Sequence, residues 1–163
     1  EPTLFTFQGG PQTLGLSSYF KKLPYPSNSD TVKKIPDLVR SVPENLRVQL
    51  RSEIKRYARE YWNRERLNSR IKKLEDWNQY YGGGYKLWCA EFGCLQYGAD
   101  PADRVAYIED IRRVFDERRI GWAYWSYNET FSVMPYDRIP FGPAKEQTPD
   151  KKILEALMPD KFK

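Results

Sequence analysis

The 163-residue chain contains no histidine and only two cysteines, Cys89 and Cys94. The first absence removes every Ser-His-Asp and Cys-His arrangement, because each relies on an imidazole to carry the proton. Together the two shortages leave too few ligands for an ordinary zinc site. Acid–base chemistry within this chain therefore falls to carboxylates, Tyr, Lys or Cys. No apolar run approaches the ~20 residues that cross a bilayer, so no membrane partner is expected. No segment of signal-peptide type opens the chain; processing of a secreted protein leaves the same appearance, so this point decides little. Charge of one sign is also missing as a block. The 27 Lys and Arg outnumber the 22 Asp and Glu, for a net +5, but the two signs alternate from Arg47 to Glu75. Such mixing describes a solvated surface, not a nucleic-acid-binding face. A disulfide joining Cys89 to Cys94 across a strand end is geometrically awkward, and both thiols are expected to be reduced and buried.

Aromatic residues, by contrast, are plentiful: 15% of the chain, with 5 Trp and 12 Tyr. Their faces either fill cores or stack on flat ligands such as sugars and bases. Along the chain, Thr3-Leu4-Phe5-Thr6-Phe7 reads as a short strand ending at Gly9-Gly10. Pro11, Gly15, Pro24, Pro26 and Pro36 then punctuate a long irregular loop, 11–40, of a length that in compact domains is usually functional or mobile. Ser41-Val42-Pro43-Glu44 fits a capping box. Beyond it, Leu46, Leu50, Ile54, Tyr57 and Tyr61, then Leu67, Ile71, Leu74 and Trp77, recur at helical spacing, as one long helix or as two broken near Trp62-Asn63. Gly82-Gly83-Gly84 ends the run. Tyr85 to Phe92 reads as a strand. Asp100-Pro101 opens a helix with Val105, Ile108, Ile111, Val114 and Phe115 on its buried stripe, closed by Arg118-Arg119. Ile120 to Tyr127 is the next strand, and Thr148-Pro149-Asp150 starts a last helix. Alternating strands and helices imply an α/β fold with a parallel sheet, here in a single domain over 1–163.

Chemistry concentrates at two strand ends. Strict alternation places Leu87, Cys89 and Glu91 on one face and Trp88, Ala90 and Phe92 on the other, helix-covered one. Glu91 is then a carboxylate at the carboxyl end of a buried strand: either a working group or a structural Glu held by an Arg. In the next strand Gly121, Ala123 and Trp125 share a face, with the large ring uppermost. Trp125 either floors a sugar subsite by stacking or belongs to the core. Trp122 and Tyr124 face the helices.

Leu87-Trp88-Cys89-Ala90-Glu91-Phe92-Gly93 resembles the seventh strand of glycoside hydrolase family 5, in which a Glu-Phe-Gly triplet carries the nucleophile. Asp103-Arg104 through Asp110, followed by Gly121-Trp122-Ala123-Tyr124-Trp125-Ser126-Tyr127, resembles the helix and eighth strand that come next. Pro2-Thr3-Leu4-Phe5-Thr6-Phe7-Gln8-Gly9 is similar to the end of the sixth strand and its loop, and Leu154-Glu155-Ala156-Leu157 to the last helix. The resemblance implies a partial (β/α)8 barrel, about its last three βα units plus a C-terminal helix, from a secreted, cellulase-like endo-β-glucanase. It implies Glu91 as catalytic nucleophile and Trp125 as the ring beneath the sugar. The mechanism would be retaining hydrolysis, which uses two carboxyl groups about 5–5.5 Å apart and no cofactor. Tyr97, Asn128, Glu129 and Gln8, on loops at the same end, are expected sugar contacts.

Two departures accompany the resemblance. The family's acid/base Glu lies on the fourth strand, and no residue of this chain is its counterpart; Glu1-Pro2 sits at the sixth. The family's sixth-strand His and Tyr would fall before Glu1, and many relatives have His in place of Phe7. The alternative is a non-catalytic, carbohydrate-binding half-barrel that folds by self-association, most simply as a homodimer. Arg104 reads either as a surface helix residue or as a support for the site.

Overall fold

The computed structural model describes residues 2–135 and 148–161. The chain does not open with the expected strand. Thr3–Thr6 form one turn of α-helix, α1. The turn closes on Pro2, whose carbonyl accepts from the Phe5 and Thr6 amides at 2.8 and 3.0 Å, and it places Phe5 fully in the core.

The segment 11–40 is an ordered arm rather than an irregular loop. It holds 3-10 turns at Gln12–Tyr19, bent at Gly15, and at Ser29–Lys34, then the short helix α2, Ile35–Leu38. Asn28 caps the second turn through a reciprocal capping box with Thr31. Composition misled here. Proline and serine signal irregular backbone, but Phe20, Leu23, Tyr25, Ile35, Leu38 and Val39 are all buried. The arm is therefore a layer of the core. Tyr25 makes a three-ring cluster with Phe5 and with Tyr107, at centroid distances of 5.4 to 5.6 Å.

Helix α3, Glu44–Arg59, begins after Pro43 with no side-chain cap. The expected capping box is not made, because the Ser41 hydroxyl turns back to the Tyr19 carbonyl at 3.4 Å. A break follows, and α4 runs Arg64–Tyr81. Three features make the break. Tyr61 adopts a left-handed φ of 51°, Asn63 caps α4 through the Arg66 amide, and Ser27 of the arm bonds both sides of the Trp62 backbone. The expected glycine stop holds, with Gly82 just past the last turn.

Strand β1, Trp88–Phe92, is followed by α5, Pro101–Glu117, capped by Asp100. Strand β2, Gly121–Tyr124, then lies parallel to β1, and α6, Lys151–Leu157, closes the fold from its Asp150 cap. Among the described residues these two strands form the sheet. Helix α5 is its backing. Phe92 meets Phe115 of α5, Trp122 and Tyr124 at 5.5 Å each, so Trp122 and Tyr124 do face the helices. On the far side α5 carries α6, where Arg112 donates to the Ala156 carbonyl at 2.9 Å. It also meets α4, where Arg118 bonds Asn68 at 2.7 Å and pairs with Glu75. No described helix is long and apolar enough to cross a membrane.

Strict alternation along β1 is not observed. Trp88 pairs with Gly121 and Cys89 with Trp122, but Phe92 pairs with Tyr124, so β1 carries one extra residue between its last two rungs. A bulge of this kind reverses the side-chain parity beyond it. Phe92 thereby reaches the helix side with Trp122 and Tyr124. Trp88 lies on the opposite, open face, 64% exposed, with its indole against the Gly121 backbone, where any side chain would collide with it.

Candidate active site

The carboxyl ends of the two parallel strands open on one cleft of about 340 Å³, lined by Phe7, Glu91, Phe92, Gly93, Trp125 and Phe131. Glu91 lies within the bulge of β1 and is exposed. Bulges beside active sites re-aim a side chain in this way. No described cation forms an ion pair with Glu91, as a structural Glu would require. Trp125, just past β2, is 43% exposed, which leaves ring surface available to a ligand. The two residues singled out for chemistry are thus brought to the same cleft.

The strand ends are held tightly. The Trp125 amide donates to the Phe92 carbonyl at 2.9 Å. Gly93 lies so close to the Trp125 carbonyl that a methyl group there would drive into it. The loop after β2 folds back: Val133 donates to Ser126 at 3.0 Å and Met134 to Tyr127 at 3.3 Å. Gln96, in the loop after β1, donates to the Ser132 and Met134 carbonyls at 2.9 and 2.8 Å. These bonds fix Phe131, whose ring meets Phe7 edge-on at 5.5 Å and closes one wall of the cleft. Behind it, the Tyr124 hydroxyl donates to the Phe131 carbonyl at 2.6 Å. Burial pushes this phenol up to about 12, opposed in part by the nearby Arg104 charge, so it remains a proton donor.

The other expected contacts lie elsewhere. Gln8 is fully buried; its amide donates to the Leu23 carbonyl at 3.1 Å and accepts from the Leu23 amide at 2.7 Å. Gln8 is a tie between α1 and the arm, with no polar group left to face a sugar. Tyr97 is half-buried in the turn after β1, and Asn128 and Glu129 are exposed in the turn after β2; none of the three lines the cleft. Cys89, half-buried, and Cys94, buried, are not joined in a disulfide. Phe131 was not legible in the sequence, since one aromatic in a Ser/Thr/Asn-rich loop carries no periodic signal.

No family model matches the chain. Over 135 residues it is 27% identical to Endoglucanase 3 of Fibrobacter succinogenes (strain ATCC 19169 / S85), a match covering 82% of this chain and 20% of that protein. The chain resembles the family 5 cellulases. It spans about one fifth of the length of the curated relative it matches. Among solved structures, the Clostridial cellulose synthase subunit Z (CcsZ) of Clostridioides difficile superposes with a TM-score of 0.60 at 22% identity, over 97% of this chain and 38% of that one. Cel5A of Thermotoga maritima, in a structure with cellobiose, gives 0.59 at 21% identity, over 97% and 37%. At these identities the likeness is one of fold. Nearly the whole α/β chain corresponds to somewhat over a third of each larger structure.

Proposed function

We propose that the chain is the nucleophile-bearing, C-terminal part of a (β/α)8-barrel β-glucan hydrolase that works by the retaining mechanism. One observation carries this reading: a bulge at the carboxyl end of β1 delivers Glu91 into the same cleft as the half-exposed Trp125. The endoglucanase likeness supports it. In this mechanism a Glu91 carboxylate oxygen attacks the anomeric carbon while the glycosidic oxygen leaves. A second carboxyl group donates a proton to that oxygen, then takes one from the water that releases the sugar. Trp125 would stack on the ring undergoing cleavage. Among the described residues lining the cleft Glu91 is the one carboxylate, and the acid/base group would come from outside this chain, from the remaining βα units of a complete barrel.

This division of labour suggests a direct test. An aryl glycoside with a very acidic phenol needs no proton to leave, so its first step requires the nucleophile alone. The chain should release dinitrophenolate from dinitrophenyl β-cellobioside, and Glu91→Gln should not. Equal release by both proteins would remove Glu91 from the mechanism.

A further inference from the structure

Arg104 stands apart among the described basic residues. It lies on α5 and is only 5% exposed, yet all four acceptors it reaches are neutral. Its Nε donates to the Cys94 carbonyl at 3.0 Å. Its Nη2 lies 2.9 Å from the Tyr124 hydroxyl, 2.9 Å from the Phe131 carbonyl and 2.8 Å from the Ser132 carbonyl. These acceptors belong to three separate segments, and each adjoins a residue of the cleft. Cys94 follows Gly93 in the chain. Tyr124 precedes Trp125. Phe131 is itself a wall. A buried guanidinium is costly unless its donors are satisfied, so once in place it fixes the acceptors around it. Its planar fork also sets their mutual angles, which a lysine ammonium cannot do.

We propose that Arg104 is a positioning residue: it ties the ends of β1 and β2 to the Phe131 loop and so sets the placement of Trp125 and Phe131 relative to Glu91. It touches no reacting atom. The proposal rests on the glucanase reading for what the cleft binds, but not for the tie itself.

Arg112 supplies a matched control. It lies on the same helix, is 8% exposed, and donates to the Ala156 carbonyl and to Asp116 at 2.9 and 2.8 Å. Those partners belong to α6 and to α5 itself, away from the cleft. Arg104→Lys and Arg112→Lys should both lower thermal stability. Only Arg104→Lys should weaken cellotetraose binding, by about tenfold, as expected when a buried carbonyl loses its partner and the cleft wall moves. Only Arg104→Lys should also shift the ligand-free NMR signal of the Trp125 indole N–H, which Trp125→Phe identifies. Equal effects of the two variants on the indole signal would overturn the proposal. If the unmodified chain binds no cellotetraose, the glucanase reading fails, and the indole signal still decides the role of Arg104. A further measurement needs no variant. The Arg104 Nε–H signal of the unmodified chain should be protected from solvent exchange and should move when the cleft is filled with cellotetraose. Rapid exchange of that proton would refute the tie outright.

Discussion

Gly93→Ala tests how closely the two strand ends must approach. No left-handed backbone is involved at this position, so alanine suits the chain and only space is at issue. The added methyl would drive into the Trp125 carbonyl and stand 3.2 Å from Cδ1 of Phe131. The carbonyl cannot retreat freely, because the amide of the same residue is bonded to Phe92 at 2.9 Å. Overpacking of this kind costs about 1–3 kcal/mol. For a domain of this size each kcal/mol moves the melting temperature by about 2–4 °C. The variant should therefore melt between about 2 and 12 °C lower by scanning calorimetry. Its Trp125 ring should also be displaced, so titration calorimetry with cellotetraose should show weaker binding even well below the melting range. A variant that melts within about 1 °C of the parent and binds equally well would show that the strand ends are not in tight contact.

Other outcomes follow from the same structure. Trp125→Ala should weaken oligosaccharide binding by about tenfold, in line with the energy of aromatic stacking, yet scarcely change the melting temperature, since the ring is 43% exposed; a large stability loss with unchanged affinity would return Trp125 to the core. Burial raises the carboxyl of Asp110, against the Tyr25 hydroxyl bond and the charges of Arg64 and Arg113, above its ordinary 3.8. The folded state therefore holds this proton more tightly than the unfolded one, so its contribution is complete below pH ~3.8 and is lost as pH rises through the folded value. Asp110→Asn keeps an acceptor for Tyr25 and should flatten the fall of stability as the pH rises above about 4 in denaturant titrations; an unchanged slope would contradict the burial argument. Trp88, 64% exposed on an open sheet face, predicts a dimer in light scattering across a dilution series, and a cooperative monomer at micromolar concentration would refute it.

The sequence carried its helices well and its strand ends partly. Asp100-Pro101 and Thr148-Pro149-Asp150 mark helix starts because capping is local chemistry, and both caps form. That Glu91 and Trp125 share a cleft was legible because both end neighbouring parallel strands. The bulge in β1 was not, since a one-residue offset depends on the partner strand and leaves no local trace. That offset turned Trp88 outward. The arm was misread for a related reason. Its apolar residues follow no single period, and only tertiary packing against Tyr107 and α3 reveals them as core. Gln8 looked like a loop contact, but its amide was already committed to Leu23, fifteen residues away.

The central claim is that Glu91 is the nucleophile, and covalent trapping tests it most directly. A 2-deoxy-2-fluoro-β-cellobioside bearing a dinitrophenolate leaving group forms a glycosyl-enzyme that hydrolyses slowly, and formation of that ester needs no acid catalyst. Incubated with the chain and digested, it should leave one fluorocellobiosyl group on the peptide containing Cys89-Ala90-Glu91-Phe92-Gly93, with fragmentation placing the ester on Glu91 and no label in Glu91→Gln. A label on any other carboxylate, or equal labelling of the Gln variant, would contradict the account.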